Sequence, residues 1–251
     1  MELLSYLKSF FKNPTINEPY TPLPWKDFVV LLVLVLITII PYSFFLEFLG
    51  IDQFDHKLLD LLKKNKWLFA FLGVFLAPLI EEPIFRLHLD LKKSSLWWSL
   101  GLSILVISEL WYPAALLMIY LILLLIMVYR GVQPNRKYVI FISAALFGLV
   151  HMINYTGFDF GKYYYWVPFL VAIQFFLGLI LSYIRLKHGI KWAIIFHGTY
   201  NAILVIPAVY FLDPNSLWVI LEKNGEWEKN KWMEKWLTQR ALVFKFINYE
   251  Q

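Results

Sequence analysis

The sequence predicts an all-α fold: a polytopic transmembrane helix bundle of about seven spans, flanked by interfacial helices. Three observations carry this. Of 251 residues, 60% are hydrophobic and 16% charged, whereas a soluble domain has roughly 45–50% apolar and about 25% charged residues. The mean hydropathy is +0.60. The apolar residues gather into runs near the ~20 residues needed to cross a bilayer, and a soluble fold would have to hide several such runs in one core.

Residues 1–27 read as an N-terminal interfacial segment. Leu3, Leu4, Leu7, Phe10 and Phe11 recur at helical spacing, which suits a short helix on the membrane surface. The early Glu2 and the interrupting Lys8 argue against a cleaved signal peptide. The transmembrane bundle occupies residues 28–212. Its first span covers about 28–49 and carries Pro41, a residue that kinks helices. A charged loop, 51–66, leads to a second span from Trp67 through Pro78 towards Leu89, with Glu81, Glu82 and Arg86 inside it. Residues 95–129 are too long for one crossing and are split at a hairpin marked by Glu109 and Pro113. Further spans are expected at about 138–153, 167–186 and 191–212. Residues 213–251 form a polar tail in which Trp232, Trp236 and Val243 share a helical face, so an interfacial helix is expected there.

Lys and Arg lie mainly between the apolar runs, and the net charge of +5 therefore reads as flanking charge, not as a nucleic-acid footprint. Counting Lys8, Lys12, Lys26, Arg86, Lys92, Lys93, Arg130, Arg136, Lys137, Arg185, Lys187 and Lys191 on one side favours a cytoplasmic N-terminus; Lys57, Lys63, Lys64, Lys66 and a basic tail count against it. With no cysteine, disulfides and thiolate sites are excluded.

Ionisable groups inside spans cost about 2.5–3.5 kcal/mol each on insertion scales, so each needs a reason. Glu81 and Glu82 are adjacent and point about 100° apart on a helix. Glu82 and Arg86 stand four apart in the favoured order for pairing, which leaves Glu81 to face a polar cavity; a buried ion-pair network that only fixes packing is the alternative. His151 follows Phe147 and Gly148 and precedes Asn154, and a single histidine of this kind can serve packing alone. His197 and Asn201 share one helix face, either as part of a site or as a helix cross-link. Three spans each offering inward polar groups is how a bundle builds a site.

These residues, in this order, resemble the CPBP family of intramembrane proteases, which includes CAAX-processing enzymes and bacterial Abi-type proteins. The family pattern of Glu-Glu-x-x-x-Arg, Phe-x-x-x-His and His-x-x-x-Asn or Asp is met by Glu81-Glu82…Arg86, Phe147…His151 and His197…Asn201. The similarity covers a core of about 72–206. Pro83 and Leu87 depart from it, where many members have an apolar residue and Gly, but no catalytic group is lost.

The resemblance implies hydrolysis of a peptide bond in a membrane-associated peptide or protein. By it, Glu81 is the general base, His151 polarises the attacking water, His197 and Asn201 donate hydrogen bonds to the oxyanion, and Glu82 and Arg86 orient Glu81. No cofactor is favoured. A zinc site on Glu81, His151 and His197 has the right ligand count, but it leaves no second base and lacks His-Glu-x-x-His. Two other functions fit the same polar groups: a non-catalytic regulator binding a partner such as a sensor kinase, and a proton-coupled transporter. A composition rich in Lys, Ile, Phe and Asn points to an AT-rich bacterial genome, hence to a multi-pass protein of the bacterial cytoplasmic (inner) membrane and away from a prenylated substrate.

Overall fold

A computed structural model describes residues 2–51, 54, 61–62, 64–108 and 110–211. The expected hairpin residue Glu109, loop residues Lys57 and Lys63, and the expected tail helix around Trp232 lie outside these. The described residues form helices joined by short connections. They are α1 (Glu2–Lys12), α2 (Trp25–Phe48), α3 (Lys66–Asp90), α4 (Lys93–Leu102), α5 (Tyr112–Tyr129), α6 (Arg136–Asn154), α7 (Phe160–His188) and α8 (Ile190–Phe211). Six of them, α2, α3 and α5 to α8, are long and apolar enough to cross a membrane.

The split of residues 95–129 is present, with Pro113 in the first turn of α5. The first half is short, however. Helix α4 and the 3₁₀ turn Ser103–Val106 that continues it extend about 23 Å at standard rises, less than the ~30 Å hydrocarbon core. The expected seven spans are therefore six long helices and one short one.

Burial is arranged for lipid outside and polar groups inside. On α3, Phe75 and Leu79 are 61% and 55% exposed, whereas Glu82, Arg86 and His88 are fully buried. The core is built by α3, α6, α7 and α8, with α2 leaning on α7 and α8, and α4 and α5 closing the other side. Small residues set the closest approaches: a Cβ on Gly178 would meet Ala144 at 3.0 Å, and one on Gly148 would meet Val171 at 3.0 Å, so α6 and α7 pack backbone to backbone.

Helix α3 is irregular, and its neighbours compensate. It passes from α-helix (Lys66–Phe71) to π-helix (Leu72–Leu76), back to α-helix (Ala77–Arg86) and ends as 3₁₀ (Leu87–Asp90). Backbone carbonyls left unpaired by Pro78, Pro83 and these transitions need other donors in a bilayer. Ser99 Oγ donates to the Pro83 carbonyl at 2.9 Å, Ser143 Oγ to Phe85 at 2.7 Å, and Arg185 Nε to Arg86 at 3.2 Å.

The N-terminal segment is tied to the bundle. Leu7 and Phe10 of α1 are buried, with Phe10 edge-on to Tyr183. Past α1, Thr15 and Asn17 accept hydrogen bonds from the buried Lys187 ammonium, and Tyr20 accepts one from Arg185. The exposed Lys92 ammonium donates to Glu18 at 2.9 Å, which raises its pKa above the ordinary lysine value. The α7–α8 turn is thus covered by chain rather than standing at the end of the bundle.

Arg185 is the hub of this end, since its second terminal nitrogen pairs with buried Asp90 at 2.9 Å. Truncating one partner of a buried pair leaves the other uncompensated. Arg185→Ala is expected to lower unfolding stability in detergent by about 3–5 kcal/mol, read as a lower midpoint in thermal or denaturant melts.

Candidate active site

The three polar clusters converge. The Glu81 carboxylate Oε2 lies 3.8 Å from His151 Nε2 and 3.9 Å from His197 Nε2. Counted from the helix starts, the two histidines differ by several residues, a mismatch of roughly 10 Å along an α-helix, yet both reach the same oxygen. The N-terminal segment lies against the α7–α8 turn at Leu186, His188 and Gly189, and His151 sits where α6 passes from α-helix to a 3₁₀ turn.

Each ring is held by its other nitrogen. His151 Nδ1 lies 2.7 Å from the Phe147 carbonyl one turn back. His197 Nδ1 lies 2.8 Å from Glu82 Oε1, a buried side-chain pair joining α3 to α8. His197 is also stacked on Tyr200, with ring centroids 5.0 Å apart and planes within 6°. In both imidazoles, Nε2 is the atom left facing Glu81.

Glu82 differs from the sequence expectation in what it orients. Arg86 does lie along the helix from it, Nε to Oε2 at 3.8 Å, but the other carboxylate oxygen goes to His197 and none goes to Glu81. The i,i+4 rule sees partners within one helix only, so this cross-helix bond was not legible. The buried guanidinium of Arg86 rests on the Phe147 ring at 4.4 Å, a cation–π contact that strengthens when desolvated. Phe147 thereby braces Arg86 and, through its carbonyl, His151.

Asn201 is held through α3. Ala77 N–H reaches back five residues to Leu72, so the next bond in that register would run from residue 78 to Gly73. Pro78 has no N–H to give, and Asn201 Nδ2 donates to the Gly73 carbonyl instead, at 2.7 Å. Gly198 makes this docking possible, because a Cβ there would meet the Val74 carbonyl oxygen at 3.0 Å.

All four nominated residues line one cavity of about 410 Å³ between α2, α3, α6, α7 and α8, walled mostly by Ile, Leu, Val and Phe. Glu81 and His151 are each 22% exposed there. Glu81 Oε2 makes no hydrogen bond among the described residues. The sequence reading passed over three other polar groups of this lining, Asn154, Gln174 and Tyr200; the hydroxyl of Ser43 is already spent on Ile39. Asn154 and Tyr200 stood inside motifs already noted, but lone carboxamides and phenols carry no motif of their own. The Glu81, His151 and His197 set considered for zinc comes together, but among the described residues no group of three or more His, Cys, Asp or Glu is arranged to hold a metal ion.

Six helices long and apolar enough to cross a membrane make this an integral multi-pass membrane protein, with a carboxylate between two imidazoles at the wall of an apolar cavity inside the bundle. The family model for type II CAAX prenyl endopeptidases, Rce1-like, matches residues 63–203, more than half of the chain. The chain belongs to this family of intramembrane proteases, in agreement with the CPBP resemblance. No curated protein and no solved structure matches it.

The packing at Gly198 gives a direct check on the site. Gly198→Val is expected to push α8 from α3, costing about 1–3 kcal/mol by overpacking and breaking the Asn201–Gly73 bond. The readouts are thermal stability and any Glu81-dependent activity, both of which should fall.

Proposed function

We propose that this protein is an endopeptidase hydrolysing a peptide bond of a membrane-associated peptide or protein, with Glu81 as general base. The observation that carries the reading is the placement of Glu81 Oε2 within 4 Å of two imidazole nitrogens whose far sides are already committed. A water beside Glu81 and His151 would give its proton to Glu81 as its oxygen bonds the scissile carbonyl carbon. Glu81 would then pass that proton to the departing amine nitrogen as the C–N bond breaks.

The oxyanion formed in between needs preorganised donors in a dry site. His197 Nε2 and the second Nδ2 hydrogen of Asn201 fill this role in our reading. The carboxylates of Glu81 and Glu82 lie on either side of the His197 ring, at Nε2 and Nδ1. Glu82 and Arg86 act as positioning residues for His197. Hydrolysis proceeds without a metal in this scheme, since using Glu81 as a zinc ligand would leave no base.

The domain reading that accompanies this is a catalytic core at about 72–206 within the 28–212 bundle, preceded by an interfacial segment at 1–27 and followed by a polar tail at 213–251. The family description names prenylated CAAX proteins as substrates of its members. For this chain we keep the wider class of membrane-associated peptides, in the bacterial cytoplasmic membrane that the composition favours.

Membrane peptides from a deletion strain carrying either the wild-type gene or Glu81→Gln test this directly. A cleavage product present only with the wild type, at equal protein abundance, is the expected result, because removing a general base costs ~10²–10⁴ in rate. A Glu81→Gln strain that restores the product would exclude the assignment. Purified enzyme should also keep its activity in a chelator; loss that only zinc reverses would overturn the metal-free scheme.

A further inference from the structure

Two carboxamides in the cavity are not used by the chemistry above. Gln174 on α7 and Asn154 at the end of α6 both line it, and both are half-buried. Gln174 Oε1 is shut off from solvent and has no hydrogen-bond partner among the described residues. A buried amide oxygen without a partner loses its hydration and recovers nothing, so at that oxygen an aliphatic side chain would serve the fold better.

Their placement relates them to the reacting groups. His151–Asn154 is a single 3₁₀ turn, in which residues three apart eclipse each other. Asn154 therefore stands on the same side as His151, next along the cavity wall. Helix α7, which carries Gln174, packs against this turn. The two carboxamides thus lie on adjoining elements beside the proposed water-activating pair.

We propose that Gln174 and Asn154 hold the substrate's backbone beside the scissile bond, recognising an unwound, extended segment rather than particular side chains. This rests on the protease reading above. A peptide bond inside a helix has its carbonyl engaged and shielded, so the segment to be cut must unwind. Its freed N–H and C=O groups then need partners in an apolar cavity. A carboxamide offers one donor group and one acceptor, the complement of a peptide unit. The mostly apolar remainder of the lining accommodates apolar side chains without reading them closely.

The test uses full-length protein in detergent micelles and an internally quenched peptide spanning the Glu81-dependent cleavage site found in the membrane-peptide comparison. Gln174→Leu and Asn154→Ala are each expected to raise KM roughly five- to tenfold, with kcat within about twofold, as for lost uniform binding. Gln174→Leu should melt at the wild-type temperature or above it. Gln174→Met serves as a second variant of similar length and should match Gln174→Leu. An unchanged KM in the Gln174 variants, or a raised KM accompanied by a lowered melting temperature, would overturn the inference and leave the Glu81 assignment standing. If no Glu81-dependent cleavage exists, the protease reading fails and this inference falls with it.

Discussion

Backbone carbonyls that lose their helical partners cannot be left bare in hydrocarbon, and α3 has several of them. Pro78, Pro83 and the changes between α, π and 3₁₀ geometry interrupt its hydrogen-bond ladder. Four of its carbonyls accept a side chain from a different helix: Gly73 from Asn201 of α8, Pro83 from Ser99 of α4, Phe85 from Ser143 of α6 and Arg86 from Arg185 of α7. The helix that carries Glu81 is therefore gripped at four points by α4, α6, α7 and α8. Directional bonds of this kind fix rotation and depth, which lipid-like packing of aliphatic side chains does poorly.

The electrostatics follow from that fixed frame. Glu82 points inward, where it meets His197 of α8 and lies near Arg86, and the guanidinium is backed by the Phe147 ring of α6. This buried cluster ties α3, α6 and α8 through charge as well as through carbonyls. Glu81, about 100° around the helix, is turned to the cavity with two imidazole nitrogens beside it. One of the adjacent carboxylates is thus structural in its contacts and the other is left for chemistry in the proposed mechanism.

Much of this was legible in the sequence because the bilayer makes composition informative. Long apolar runs marked α2, α3, α5, α6 and α8 within a few residues and α7 from Val167 on, missing its first seven residues, and Pro113 marked the start of α5. The same reasoning overcounted at α4, since hydropathy reports that residues 95–106 are apolar but not that the helix stops short. Glu81, Glu82, Arg86, His151, His197 and Asn201 were nominated because charge at membrane depth needs a reason and the family pattern links them. Their wiring was not legible. The Glu82–His197 bond joins residues 115 apart, and the Asn201–Gly73 bond depends on a π-helical register that no side-chain pattern announces. Gln174 was passed over because a single amide in an apolar helix has no periodic or motif signature.

The dependence of Asn201 on Pro78 offers the sharpest check on the carbonyl-anchoring account. If Pro78 is what leaves the Gly73 carbonyl open, Pro78→Ala restores an N–H that can fill it, and the Asn201 side chain becomes redundant for stability. The measurement is a double-mutant cycle in detergent, with melts of wild type, Asn201→Leu, Pro78→Ala and the pair. Residues sharing one hydrogen-bond network couple by about 0.5–3 kcal/mol. The account predicts that Asn201→Leu destabilises the Pro78 protein clearly and the Pro78→Ala protein much less. Equal, additive losses in both backgrounds would contradict it.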